Sequence, residues 1–162
     1  MDYEPNEDAM VYFIQEVFDK VAEKCPEVTL YIVGKNPTDK LKKLVINRKN
    51  IIVTGKVDSV FSYIKSSTIY ISPLRIGSGK KNKIIEAISC GTPLIASTVS
   101  MEGFEDIEDK NLILRADSSN EWVENICKLL SDEEKRIDIK KRMFNLLDES
   151  YSWKNIAKKL VE

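Results

Sequence analysis

Apolar residues along this chain switch repeatedly between the 3.6-residue spacing of amphipathic helices and short unbroken runs. After Pro5-Asn6, the positions Met10, Phe13, Ile14, Val17, Phe18 and Val21 fall at helical spacing, with Glu7, Asp8, Glu16 and Lys20 among them. That pattern predicts a helix ending before Pro26. Val28 to Val33 reads as a strand closed by Gly34 and Pro37, and a weaker helical stretch runs from Thr38 to Ile46. Ile51-Ile52-Val53 predicts a second strand ending at Gly55, after which Asp58 is expected to cap a short helix carrying Val60, Phe61 and Ile64. Ile69-Tyr70-Ile71 is the third strand, broken by Pro73. A loop with Gly77 and Gly79 then leads into a helix holding Ile84, Ile85 and Ile88, with Gly91 as its stop. Leu94-Ile95-Ala96 and Leu112-Ile113-Leu114 complete the strands. Ser118-Ser119-Asn120-Glu121 matches a capping box opening a helix through Leu130, followed by a helix from Asp132 to Leu147 and a short one after Ser152.

Strands and helices thus alternate, and the strands are continuously apolar, as required when helices cover both faces of a parallel sheet. The expected fold is a single α/β domain over residues 1–162, a doubly wound, Rossmann-like parallel sheet. Ligands in such sheets sit beyond the carboxyl ends of the strands. This directs attention to Gly34–Pro37, Gly55–Asp58, Ser72–Gly79 and Ala96–Gly103.

Composition narrows the chemistry. Twenty-five basic and 26 acidic side chains leave a net charge of −1, without the basic excess of a protein that coats nucleic acid. No apolar run reaches the roughly 18 residues that span a bilayer, and Met1-Asp2-Tyr3-Glu4-Pro5 lacks the features of a signal peptide. Cys25, Cys90 and Cys127 have no metal-ligand spacing and read as reduced apolar fillers of a cytoplasmic protein. The chain has no histidine, so any chemistry must use carboxylates, lysines, hydroxyls or backbone dipoles.

One window stands out against this neutral background. Arg75, Lys80, Lys81 and Lys83 lie within nine residues and surround Gly77 and Gly79 ahead of a helix. Glycines let backbone N–H groups approach a ligand, and a helix N-terminus carries about half a positive charge, so the window can cradle a diphosphate. A solvated basic helix start is the equally weighted alternative. Glu86, on an otherwise mostly apolar segment, is suited to accept two vicinal ribose hydroxyls; the alternative is an ordinary surface glutamate.

Pro73-Leu74-Arg75, Gly77, Gly79, Lys81, Lys83 and Glu86-Ala87, then Gly91, Pro93-Leu94-Ile95-Ala96 and Met101-Glu102-Gly103-Phe104, closely resemble the group 1 (family 4-like) glycosyltransferases of the GT-B fold. Pro5-Asn6, Leu30-Tyr31-Ile32-Val33-Gly34, Val53-Thr54-Gly55-Lys56-Val57-Asp58 and Tyr151-Ser152-Trp153 follow in family order, so the resemblance covers nearly the whole chain. It implies the donor-binding, C-terminal half of a two-domain enzyme. By that resemblance Glu86 holds the donor ribose, Gly77, Ser78, Gly79 and Lys80 form the phosphate loop, and Gly55, Lys56 and Val57 contact the nucleobase. Arg75, Lys81 and Lys83 help neutralise the diphosphate. Many relatives place a first glutamate eight residues before the second; here that position is Ser78, which can hydrogen-bond a sugar but cannot stabilise positive charge. An apolar strand, central in the sheet, precedes a segment like Met1-Asp2-Tyr3 in the family and is missing from this sequence. An excised domain is expected to associate through its exposed sheet edges.

The resemblance further implies transfer of a sugar from a nucleotide diphosphate to an acceptor hydroxyl, in glycan or polysaccharide biosynthesis, with no metal and no cofactor beyond the nucleotide sugar. The acceptor site belongs to an N-terminal domain, and the full-length enzyme can associate with membranes. Two rival classes remain: a GT-B-type nucleotide-sugar epimerase, disfavoured by the absence of histidine, and a non-catalytic Rossmann-like nucleotide-binding module. Trp122 and Trp153 are expected to pack helices, Asp132 to Arg136 to be a solvated helix start, and Asp117 to be a turn residue.

Overall fold

The computed structural model describes residues 3–79, 81–104 and 112–150, with side chains through 146 in the last helix. Lys80, the expected helix after Ser152, Trp153 and the first two residues lie outside these.

The chain opens with helix α1 (Glu4–Tyr12), starting one residue ahead of Pro5, whose missing N–H costs nothing in a first turn. The helix continues without a break through a π-helical turn (Phe13–Phe18) into α2 (Asp19–Lys24). Simple periodicity predicts one uniform helix here; the middle turn is π-helical instead, and its Phe13, Ile14, Val17 and Phe18 are all buried in the core. Strand β1 (Leu30–Val33), α3 (Asp39–Val45), β2 (Ile51–Gly55), α4 (Val60–Ser66) and β3 (Tyr70–Ser72) follow. Then come α5 (Asn82–Cys90), β4 (Leu94–Ala96), a 3-10 turn (Val99–Met101), β5 (Ile113–Arg115), α6 (Ser119–Ser131) and α7 (Glu133–Ser150).

Every strand pairing is parallel, but the strands form two half-sheets, β1-β2 and β3-β4-β5, among the described residues. The chain winds outward from the junction in both directions, β1 to β2 and β3 to β5. Right-handed crossovers therefore send the connecting helices to opposite faces. The first helix packs on α3 and α6, whereas α4 and α5 pack together and α5 meets α7. Only β4 is buried along its full length, consistent with an interior strand; β1 and β3 remain partly open because each has one edge without a partner strand. That is the physical reason the continuous burial expected of every strand is not observed.

Local signals set the element ends. Ser118 accepts from the Glu121 N–H while the Glu121 carboxylate accepts from Ser118 N–H at 2.8 Å, the expected capping box. Thr38 accepts from the Leu41 N–H at 3.2 Å and donates to Glu7 at 2.5 Å, tying α3 to the first helix. The cap of α4 is Ser59, which accepts from Ser62 N–H at 3.2 Å, one residue beyond the expected Asp58. Both side-chain types serve as caps, so the register of the chain leaving Gly55 decides between them.

Trp122 of α6 is buried edge-on against Phe13, ring centroids 5.7 Å apart. Cys25 and Cys127 bring their sulfurs to 3.6 Å between α2 and α6, and burial raises the Cys127 thiol above its ordinary range. Arg136 donates to the carbonyls of Leu129 and Leu130 at 2.5 and 2.9 Å, so the charge run at the start of α7 is more than a solvated stretch: it collars the end of α6.

Gly91 ends α5 in the left-handed region (φ +64°). A Cβ there would come within 2.7 Å of the Phe144 ring and 2.9 Å of Lys140 in α7. Gly91→Ala is expected to destabilise the protein by about 1–2 kcal/mol, from the left-handed φ and the displaced side chains. Thermal melting should show this as a fall in Tm of about 2–8 °C. An unchanged Tm would mean that α7 does not dock at this point.

Candidate functional site

Within each half-sheet the carboxyl ends of the strands emerge together, as parallel pairing requires. Buried hydroxyls fix the root of the loop after β3. Ser97 Oγ donates to the Leu74 carbonyl at 2.5 Å, and Ser100 Oγ donates to the Ser72 carbonyl at 2.6 Å. Ser72 Oγ lies 3.0 Å from Ser100 Oγ. On the neighbouring side Asp117 accepts from Thr98, backbone N–H at 2.8 Å and hydroxyl at 2.5 Å, binding the loop after β4 to that after β5. Asp117 is thus a bridge between loops and not merely a turn residue.

Beyond this root the loop is exposed. Gly77 and Gly79 have φ of +114° and +80°, conformations that L residues adopt only under strain. A Cβ on Gly79 would meet nothing within 4 Å, and one on Gly77 only the edge of Pro5 at 3.9 Å and the Lys81 ammonium at 4.0 Å. Glycine serves backbone shape here and not close packing. Lys81 flanks α5 and donates to the Gly79 carbonyl at 2.6 Å, closing the loop on itself. No side chain caps the N-terminus of α5.

Glu86 is half-buried on α5, and both its carboxylate oxygens accept from Lys83 Nζ at 2.8 Å. Burial, aided by the nearby Glu86 carboxylate, pushes the Tyr70 phenol well above its ordinary value, so it stays neutral. Arg75 turns away from the loop tip. Its Nε and Nη2 donate to the two oxygens of Asp8 at 2.9 and 2.5 Å, and its guanidinium lies 4.6 Å from the Tyr12 ring centroid. This pair holds the Asp8 carboxyl below the usual carboxylate range and raises Arg75.

Of the residues singled out in the sequence, Gly77, Ser78, Lys81 and Lys83 line one cavity together with Gly34 and Lys35. Gly55, Lys56, Val57, Arg75, Gly79 and Glu86 do not line it. Gly55 ends β2 with φ +69° and open space at its Cβ position; Lys56 is exposed and Val57 half-buried. The hold of Asp8 and Tyr12 on Arg75 had no sequence signal, because 67 residues separate Asp8 from Arg75. The described residues contain no group of three or more His, Cys, Asp or Glu side chains able to hold a metal ion. None of their helices is long and apolar enough to cross a membrane.

A family model described as "Glycosyl transferases group 1" matches residues 1–132. The chain belongs to the group 1 glycosyltransferases. It is 32% identical over 140 residues to the uncharacterized glycosyltransferase MJ1069 of Methanocaldococcus jannaschii, a match covering 82% of this chain and 35% of that protein. The chain therefore corresponds to about a third of this relative's length. Among solved structures it superposes on the glycosyltransferase WaaG, involved in lipopolysaccharide biosynthesis, with TM-score 0.74, 17% identity, and coverage of 91% of this chain and 40% of that one. It also superposes on a mutant of S. aureus TarM in complex with fondaparinux, α-GlcNAc-glycerol and UDP, with TM-score 0.80 and 17% identity, covering 99% of this chain and 33% of that one. The fold is accordingly that of the GT-B glycosyltransferases.

In this member of the group 1 glycosyltransferase family the Asp8–Arg75 pair fastens the loop after β3 to the first helix. Asp8 has a lowered folded pKa, so its contribution to stability is complete above the unfolded value of 3.8 and is lost as pH falls through the folded value. Asp8→Asn is expected to cost about 1 kcal/mol or less at neutral pH, the pair being partly exposed. Urea melts between pH 7 and 2 should show a flatter acid limb for the variant. Parallel curves would mean that Arg75 does not hold Asp8 in solution.

Proposed function

We propose that this chain is the nucleotide-sugar donor-binding half of a glycosyltransferase that passes a sugar to an acceptor hydroxyl in glycan or polysaccharide assembly. The observation that carries the reading is the uncapped N-terminus of α5, bordered by the Gly77–Gly79 loop and followed along the helix by Lys83 and Glu86. Backbone N–H groups and a helix dipole suit a diphosphate, and a carboxylate about one turn in suits a pair of ribose hydroxyls. The UDP bound to TarM supports a nucleoside diphosphate as the ligand class.

In the proposed mechanism the chain stabilises the departing diphosphate. Negative charge grows on the leaving oxygen as the glycosidic bond breaks. The α5 N–H groups, Lys81 and Lys83 are in place before that charge develops, which is what lowers a barrier electrostatically. Lys83 then divides its ammonium between Glu86 and the phosphate, leaving Glu86 oriented toward the ribose. Lys80 and Arg75 add positive potential without direct contact being required. The turn Gly55–Val57 receives the base through its backbone, and Ser78 offers a hydroxyl to the donor sugar. The scheme calls on no cation. The acceptor and any general base belong to a partner domain across the cleft, so the 162 residues bind a nucleotide but transfer nothing by themselves.

Titrating ¹⁵N-labelled protein with UDP, GDP and ADP tests this. One nucleotide is expected to shift the amides of Gly55–Val57, Gly77–Gly79 and Lys83–Glu86 selectively, with affinity unchanged by EDTA. Glu86→Gln should weaken it about 10-fold, the scale of hydrogen bonds to a charged acceptor. Shifts confined to other surfaces, or full affinity in Glu86→Gln, would overturn the reading.

A further inference from the structure

Cys25 and Cys127 stand 102 positions apart in the chain, yet their sulfurs meet at 3.6 Å, the Cys25 thiol donating to Cys127. Cys25 caps the C-terminus of α2, and its backbone is held on both sides. Its N–H donates to the Val21 carbonyl at 2.8 Å, and its own carbonyl accepts from Val28 N–H at 3.0 Å. Cys127 lies in the middle of α6, between the buried Ile126 and Leu129. Other contacts fix the two helices against each other. Ser119 Oγ donates to the Glu16 carbonyl at 2.5 Å and accepts from Lys20 Nζ at 2.9 Å, and Phe13 meets the Trp122 ring. With both backbones so placed, the sulfurs are only about 1.5 Å from bond length, a gap that side-chain torsions close.

Both residues are half-buried, so a small solute can reach the contact. Cys90 differs: it is buried, and its sulfur faces the Phe61 carbonyl at 3.9 Å. An apolar filler role accounts for Cys90, but not for two thiols brought together from distant parts of the chain at a partly wet helix junction. A metal ion does not account for them either. A closed zinc site takes four ligands, and the described residues contain no group of three or more His, Cys, Asp or Glu able to hold a metal. Two touching, accessible thiols are suited to exchange with a disulfide.

We propose that Cys25 and Cys127 form a reversible disulfide clasp, made by exchange with a low-molecular-weight disulfide of the glutathione type. One cysteine, as thiolate, attacks a sulfur of the small disulfide, forming a mixed disulfide and expelling the first small thiol. The other cysteine then attacks the protein-side sulfur, forming the Cys25–Cys127 bond and expelling the second. Two protein thiols lose two electrons and two protons, and one small disulfide gains them. Excess small thiol runs the exchange backwards and reopens the clasp. The bond joins the end of the first helix, which leads into β1, to α6, which packs on β4. It thus ties the half-sheets covalently where, among the described residues, no strand pairing does so. The clasp depends on the two sulfurs alone and is independent of nucleotide binding.

The test treats the 162-residue protein with excess oxidised glutathione in mildly alkaline buffer, quenches with acid, alkylates and maps the peptides by mass spectrometry. The expected product is a monomer lighter by two hydrogens, with a Cys25–Cys127 cross-linked peptide and Cys90 still free to alkylate. The oxidised protein should melt roughly 5–15 °C higher, because the bond closes a long loop of the unfolded chain. Cys25→Ser and Cys127→Ser should each take up glutathione without that rise, whereas Cys90→Ser should still form the clasp. Oxidation in urea supplies the reference. An unfolded chain closes its shortest loop, Cys90 to Cys127, most readily, so a native preference for the longest loop comes from the fold. Unreacted thiols, glutathione retained on both Cys25 and Cys127, a disulfide-linked dimer or a bond to Cys90 would each overturn the proposal. So would a clasp that leaves Tm unchanged or lowers it, since the bond then strains the helices instead of tying them. The peptide map of the unsubstituted chain decides the pairing even where a serine variant folds poorly.

Discussion

Among the described residues no strand pairing joins the two half-sheets, and the first helix carries much of the contact between them. Phe13, Ile14, Val17 and Phe18 of its π turn are all buried. One end of this rod packs on α3, beside β1 and β2, and its middle and far end pack on α6, which belongs with the other half-sheet. The edge-on contact of Phe13 with Trp122 sits at that junction and adds about 0.5–1.5 kcal/mol beyond the area it buries. Backbone hydrogen bonds hold each half-sheet together; apolar burial, with the side-chain hydrogen bonds of Glu7 and Asp8 on the first helix, holds the halves to each other.

The same helix reaches the site. Asp8, on its polar flank, grips Arg75 from the loop after β3, and Tyr12 one turn later supports the guanidinium face. Glu7 accepts from Thr38 at the start of α3. One element therefore sets the distance between the half-sheets and the attachment of the glycine loop, so packing in the core and geometry at the site are not independent.

Much of the fold was legible in the sequence where the cause is local. The capping box at Ser118, the left-handed stop at Gly91 and the unbroken run of β4 depend on neighbours within a few residues, and all three appear as read. The family and the α/β winding were legible because several blocks fall in order. The π turn was not, since its apolar positions fit an ordinary helix nearly as well and only packing against α6 selects the wider turn. The choice of Ser59 over Asp58 as a cap escaped for a similar reason. At the site, the positive φ of Gly77 and Gly79 followed from residue type, whereas the Asp8–Arg75 grip and the Arg136 collar join residues that no spacing rule connects. The split sheet lay between these cases: the run of apolar strands was visible, but which edges lacked a partner required three dimensions.

The hydroxyl cluster of Ser72, Ser97 and Ser100 divides the loop after β3 into two regimes. Its root is buried and locked to β4, so a change there disturbs the core. Its tip at Ser78 is solvent-exposed. A position of that kind can exchange carboxylate for hydroxyl with little penalty in folding free energy. Substitutions can therefore alter the chemistry of the tip while the scaffold stays constant.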